Sequence, residues 1–246
     1  MVMENIAHLN NSSFLLRLSE HERSDLLKLG KKLHIRRNEI IFHAGGDSDF
    51  AYILLDGRVK IYQIASYGKE VILWFCFPGE LFGLSEIFNG ELREAHAEAC
   101  RDLNVLAIPY TELRAFLTQH PGAAMHIIDM LAGRVRILSN SMLNLVADDV
   151  SSRVMKLLYR LAKCYGQPQG DAIRLPMHLT HQELADMIGT SRQTVTVVLG
   201  DLRRKGTIEI KNHMISILQP DRMKPSDGEA NHVHFEQTAS MVGIAI

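Results

Sequence analysis

Apolar and polar positions follow distinct rhythms along this chain. From Phe14 to Lys32 the apolar residues fall at helical spacing, which predicts one helix, with Ser19 and Glu22 spaced as a capping box inside it or between two shorter pieces. From Leu33 to Pro109 the rhythm shortens. Runs rich in Ile, Val, Leu, Phe and Tyr (Ile40 to Phe42, Phe50 to Leu55, Val59 to Ile64, Val71 to Phe77, Val105 to Ile108) alternate with Gly45-Gly46-Asp47, Asp56-Gly57, Tyr67-Gly68-Lys69, Pro78-Gly79 and Asn89-Gly90. Short strands at a spacing of roughly 8–12 residues, separated by turn signals, predict an antiparallel sandwich or barrel. Asp56-Gly57 is the strongest single hairpin signal among them. A β-roll flanked by helices is expected.

After Pro109 the helical period returns, through Tyr110 to Leu117, a break at His120-Pro121-Gly122, and a long segment to about Asp149. Within that segment Ile128, Leu131, Val135, Leu138, Met142 and Leu145 recur at alternating steps of three and four, the spacing of a heptad seam. Such a stripe can pack on its own domain or on a second copy. The opposite face carries Arg134, Arg136, Asn140 and Asn144 and is expected to be solvated, which favours a dimer. Asp148 to Ser151 reads as a hinge, with an aspartate or serine capping a further helix to about Tyr165, and Gly166 to Gly170 as a surface loop.

The segment Thr180 to Gly206, THQELADMIGTSRQTVTVVLGDLRRKG, carries the clearest chemistry. Thr180 and Glu183 form a capping box, and Leu184, Met187 and Ile188 follow on one helical face. Gly189 can end that helix in the left-handed region, and Ser191 can cap the next, whose apolar face is Val195, Val198, Leu199 and Leu202. Arg192, Gln193, Thr194 and Thr196 then stand near the start of the second helix, where a recognition helix meets base edges. A basic run from Arg203 to Lys205 closes the helix. Alternation in Thr207 to Ile210 and Met214 to Leu218 around Lys211-Asn212-His213 predicts a hairpin wing. The whole is a winged helix-turn-helix, with Thr180, Ser191, Arg192, Gln193, Thr194, Thr196, Arg203 and Lys211 as candidate DNA contacts.

Composition narrows the picture. The formal net charge is −1, so affinity for DNA must come from a local patch, which Arg192 to Lys211 supplies. Cys76, Cys100 and Cys164 lie far apart and form no CxxC pair, against a disulfide framework or cysteine cage. The start of the chain lacks a basic segment leading into an apolar one, and the apolar run Val71 to Phe77 is too short to span a bilayer; a cytoplasmic protein without membrane contact is expected. Beyond Pro220 no period is visible, and 221–246 is expected to be a disordered tail.

The order of parts resembles the Crp/Fnr family of bacterial transcription regulators from about Phe14 to Leu218. The residues that carry the resemblance are Gly45-Gly46-Asp47, the segment Tyr52 to Lys60, the turn Pro78 to Gly83, and Ser191 to Val195. The resemblance implies an α+β architecture: a double-stranded β-helix (jelly-roll) sensor domain over 1–120, a dimerisation helix over 121–148, and a winged helix-turn-helix over 149–220. It also implies a homodimer that binds a palindromic promoter site and contacts RNA polymerase. Gln193 stands where many members have Glu, and Val197 where an arginine is usual.

The family's sensing chemistries can be compared in turn. Cyclic-nucleotide members hold the phosphate with a Gly-Glu-Leu segment and an Arg-Ser pair, because a buried phosphodiester needs a guanidinium fork and backbone N–H groups. Here Gly83 is followed by Leu84-Ser85, and Arg93 by Glu94, whose carboxylate would repel a phosphate. Glu86 stands in for the missing Glu only in a shifted register. Iron–sulfur members need four clustered thiolates, and no cysteine precedes Cys76; haem members use a Cys and a His where this chain has Gly83 and Ser85. The turn Phe82-Gly83-Leu84-Ser85 together with Arg134 is more similar to the nitrogen-control branch, which binds 2-oxoglutarate. An anionic metabolite held by Phe82, Gly83, Leu84, Ser85, Arg93 and Arg134 is therefore expected, with an effector-free member as the alternative. A β-roll metal enzyme is the third reading. It lacks support from any His-x-His, HExxH or glycine-rich nucleotide loop, so no catalytic or metal site is assigned.

Overall fold

A computed structural model describes residues 13–86, 90–212 and 214–223; the expectation of a disordered tail falls outside these residues for all but its first three positions. The described residues begin with two short helices, α1 (Phe14–Arg17) and α2 (Glu20–Lys28), the divided form of the expected helix, which ends at Lys28 and does not reach Lys32. Ser19 breaks the run because its side chain accepts the Glu22 N–H while Glu22 returns to the Ser19 N–H, a complete capping box. Lys31–Ile35 is already strand β1.

The roll consists of β1, β2 (Ile40–Phe42), β3 (Phe50–Asp56), β4 (Val59–Ile64), β5 (Glu70–Cys76), β6 (Leu81–Phe82), β7 (His96–Ala99) and β8 (Leu103–Pro109). Two antiparallel four-stranded sheets face each other, in orders β1-β8-β3-β6 and β2-β7-β4-β5. Tyr52, Leu54, Val59, Ile61, Phe82 and Val105 fill the space between them. Ala51, Ile53, Leu106 and Ile108 point the other way, onto Phe14, Leu26, Leu113 and Phe116 of the flanking helices. Strands buried on both faces read as continuous apolar runs, which is why β3 and β8 show no alternation.

Asp56-Gly57 does not close a hairpin. β3 and β4 lie in different sheets, so the dipeptide is a corner at which the chain changes sheet. Asp56 anchors it by accepting the Asn104 backbone and side-chain N–H groups at 3.1 and 2.6 Å. Gly57 has φ +93°, and a Cβ there would stand 2.3 Å from the Leu103 Cβ, so both backbone conformation and space demand glycine. The hairpin of paired neighbours is Tyr67-Gly68-Lys69, between β4 and β5.

α3 (Tyr110–Gln119) and α4 (Pro121–Ala147) follow, separated at His120. The first part of α4 packs on the roll helices through Ala123 and Ile127. Its seam residues remain exposed, with Ile128 at 56%, Val135 at 62% and Met142 at 72% of full exposure. Arg134 departs from the expected solvated face: its guanidinium donates to the Leu81 carbonyl at 2.7 Å and lies 5.1 Å from the Trp74 ring centre.

Asp149 caps α5 (Val150–Tyr165) by accepting the Ser152 N–H, which holds its carboxyl below the usual range. Val154, Leu157, Leu158, Leu161 and Ala162 form the buried stripe of α5. β9 (Gln167–Gln169), β10 (Ala172–His178), α6 (His181–Ile188), α7 (Arg192–Arg204), β11 (Ile208–Lys211) and β12 (Met214–Ile217) complete the winged unit. Its core is continuous with the outer face of β4 and β5 through Tyr62, Ile72 and Phe75. The winged unit thus sits on the roll's own β4–β5 hairpin.

Candidate functional site

The surface at the start of α7 is built from local capping. Thr180 accepts the Glu183 N–H, Glu183 accepts the Thr180 N–H at 2.7 Å, and α6 ends at Gly189 in the left-handed region at φ +70°. A Cβ on Gly189 would come within 3.2 Å of Leu145 Cδ2, so the end of the α4 seam reaches the turn between α6 and α7. Ser191 then accepts the Thr194 N–H at 3.1 Å, and Val195, Leu199 and Leu202 seat α7 on the core. That buried stripe turns Arg192, Gln193, Thr196 and Val197 outward, all exposed.

The expected DNA contacts divide into two kinds. Arg192 and Gln193 are exposed donors at the helix start, and Arg203 is exposed at its end. Thr180, Ser191 and Thr194 are engaged in caps, and Thr196 shares its hydroxyl with the Arg192 carbonyl at 2.9 Å and His181 Nδ1 at 2.8 Å. Lys211 stands at the base of the wing turn, paired with Glu209 at 2.7 Å, and Arg204 pairs with Asp201.

In the roll, the residues expected to line an effector site lie around the Gly83 turn with side chains directed to different sides of it. Phe82 belongs to the layer between the sheets, Leu84 to the helix-side core, and Ser85 is exposed. Arg134 reaches Leu81 and Trp74, as above. Arg93 is buried beside Gly83: a Cβ on Gly83 would lie 3.0 Å from its Nη1. The guanidinium donates to Glu86 Oε2 at 2.9 Å, to the Tyr110 hydroxyl at 2.8 Å and to the Phe50 carbonyl, and lies 4.2 Å from the Phe42 ring centre. Burial pushes the Tyr110 hydroxyl up to about 12, so it stays protonated and donates in turn to the Gly83 carbonyl at 2.6 Å. Burial likewise raises the Cys76 thiol to about 12, leaving it neutral and poorly suited as a metal ligand or nucleophile. Among the described residues no three His, Cys, Asp or Glu side chains are grouped to hold a metal ion, and no helix is long and apolar enough to cross a membrane.

A cleft of about 1340 Å³ lies between roll and winged unit, walled by Arg37, Lys60, Glu70, Glu98, Asp186 and Arg192 among others. Phe82, Gly83, Leu84, Ser85, Arg93 and Arg134 are not part of its walls. Arg58 crosses it to Glu183 and the His178 carbonyl, each at 2.5 Å, and Lys69 donates to the Thr190 carbonyl at 2.8 Å. Sequence reasoning missed this bridge. Arg58 reads only as part of the Tyr52 to Lys60 segment that carries the family resemblance, and Glu183 already has a role as a cap.

This two-part architecture has close parallels. Residues 32–120 match the family model of the cyclic nucleotide-binding domain, and residues 152–225 that of the Crp-like helix-turn-helix domain. A CRP-like cAMP-activated global transcriptional regulator of Mycobacterium tuberculosis is 30% identical over 205 residues, 82% of this chain and 92% of the relative. A global nitrogen regulator of Synechocystis is 30% identical over 186 residues, 75% of this chain and 83% of the relative. Among solved structures, a CooA mutant from Carboxydothermus hydrogenoformans superposes with TM-score 0.72 at 23% identity, over 85% of this chain and 92% of that one. A CRP/FNR-family transcriptional regulator from Thermus thermophilus superposes with TM-score 0.60 at 27% identity, over 78% and 96%. The fold is that of a DNA-binding transcription regulator with a cyclic-nucleotide-binding-type sensor. The chain belongs to the Crp/Fnr family.

Proposed function

We propose that the chain works as a homodimer that reads a palindromic promoter site with α7 and contacts RNA polymerase there. One observation carries the reading: the same chain presents an exposed Arg192–Gln193 helix start and an exposed apolar stripe along α4. A dimer through Ile128, Leu131, Val135, Leu138, Met142 and Leu145 covers that stripe and offers two recognition helices to a two-fold site. Arg192 makes a bidentate contact to a guanine, and Gln193 pairs with adenine. Ser191, Thr194 and Thr180 hold the helix starts, while Arg203 and Lys211 meet phosphates.

Control is exerted through the roll. The named relatives include a cAMP-activated and a nitrogen regulator, which supports an anionic effector of the cyclic-nucleotide or 2-oxoglutarate class. The positive charge that meets it comes from Arg134 beside Leu81, because the Arg93 guanidinium already holds Glu86. The alternative, regulation without a small effector, is favoured by the Glu86 carboxylate already seated on Arg93. Selection of bound fragments from a random DNA pool by the purified chain tests the reading. A symmetric consensus is expected, and recovery of unrelated fragments with equal affinity would overturn it.

A further inference from the structure

The environment of Arg93 contains its own anion. The Arg93 and Glu86 side chains are 1% and 6% exposed, with Nη1 and Oε2 2.9 Å apart. The other carboxylate oxygen of Glu86 receives the Glu94 backbone N–H at 3.4 Å. A guanidinium together with a backbone N–H is the donor set a buried phosphate or carboxylate ligand requires. Around it, the Gly45 N–H donates to the Arg93 carbonyl at 2.7 Å and the Arg93 N–H to the Gly46 carbonyl at 2.9 Å. Arg93 thereby ties the Gly45-Gly46 turn, strand β3 at Phe50 and, through Tyr110, the Gly83 turn to the start of α3. The Arg93 Nε–H is buried and meets no acceptor among the described residues.

We infer that Glu86 is a tethered anion that fills the seat at Arg93, so that the roll excludes free phosphate and dicarboxylate ligands there and keeps these elements joined without one. The inference rests on the reading of the roll as the controlling domain, but its chemistry stands apart from DNA. A second anion entering this seat would share one guanidinium with a buried carboxylate, and like charges that close disfavour joint ionisation. Removing Glu86 from its place would strand a buried carboxylate or guanidinium without its partner. Because Glu86 lies seven residues from Arg93 on the same chain, its local concentration exceeds that of a freely diffusing metabolite.

Titration calorimetry and thermal unfolding of the full chain, with inorganic phosphate, 2-oxoglutarate and cyclic AMP as probes, test this directly. The unsubstituted chain is expected to bind none of them at Arg93. Glu86→Ala should lower the unfolding temperature and acquire phosphate or 2-oxoglutarate binding stronger by about tenfold or more, the affinity counterpart of one charged hydrogen bond. The added anion should restore part of the lost temperature, and Glu86→Ala with Arg93→Ala should abolish the response. Glu86→Gln, which removes the charge but still occupies the seat, serves if the alanine variant does not fold, with a gain in the same direction but smaller. Submillimolar binding of any probe to the unsubstituted chain, lost in Arg93→Lys, would overturn the inference; so would a folded Glu86 variant no more responsive to anions than the parent. Loss of DNA binding with the anion response intact would instead count against the regulator reading alone.

Discussion

Arg58 of the roll and Glu183 of α6 form an ion pair across the interdomain cleft, their side chains only 13% and 17% exposed. The guanidinium also lies 4.5 Å from the Phe75 ring centre and holds the His178 carbonyl at 2.5 Å. Glu183 simultaneously caps α6, so one carboxylate orders the helix-turn-helix and fastens it to the β4–β5 side of the roll.

Arg58→Ala should therefore leave both units folded but loosen their contact. Loss of a charged hydrogen-bonded pair of this burial costs about 1–3 kcal/mol of local stability. Hydrogen exchange should accelerate in α6 and in the β4–β5 hairpin and stay unchanged in β3 and β8. Uniform acceleration throughout would mean that Arg58 supports the roll and not the junction.

The α4 seam gives a second expectation. Leu138 is 39% exposed in the single chain, so Leu138→Glu adds little strain to the monomer. Across a two-fold seam it buries two facing carboxylates, and the desolvation cost should split the dimer. Sedimentation equilibrium with unchanged helical circular dichroism is the expected pattern; a variant that sediments as a dimer removes this helix from the interface.

At the DNA surface, Arg192→Ala should cost about 1–3 kcal/mol and relax preference at one symmetric pair of base positions. Lys211→Ala should weaken binding to all sequences alike and flatten the salt dependence. Equal, sequence-independent losses in quantitative gel shifts would assign Arg192 to the phosphate backbone.

Asp186 supplies a pH expectation. It is 6% exposed and accepts from Gln182 at 2.8 Å, and burial raises its carboxyl above the ordinary value. A raised folded-state value means that the carboxylate opposes folding at neutral pH and ceases to do so once both states are protonated. Asp186→Asn, which keeps the hydrogen bond, should raise the unfolding temperature at pH 7. The difference should shrink to nothing as pH falls through and below the ordinary carboxylate range. A pH-independent effect in thermal scans would assign the change to packing.

Much of the fold is legible in the sequence because capping boxes and apolar stripes are local devices. Thr180 with Glu183, Gly189 with Ser191, and the capped start of α5 at Asp148 to Ser151 read directly. His96–Ala99 is not legible as a strand because its inward residues are only Ala97 and Ala99, too small to mark one. Asp56-Gly57 reads as a hairpin because a sheet-changing corner uses the same left-handed glycine. Candidate contacts at the α7 start follow from one helix's geometry and were accessible. The surroundings of Arg93 and Arg134 depend on long-range partners, Phe50, Tyr110 and Leu81, that no spacing rule brings together.

The wing cation Lys211 keeps its own counterion in Glu209, and Arg204 keeps Asp201. On the proposed reading a phosphate must displace these exposed carboxylates, which lowers the affinity for bulk chromosomal DNA to a modest degree. Because a genome presents millions of such background sites, on the order of 10⁶–10⁹, fewer copies are sequestered on them. A modest cellular copy number can then occupy a true operator.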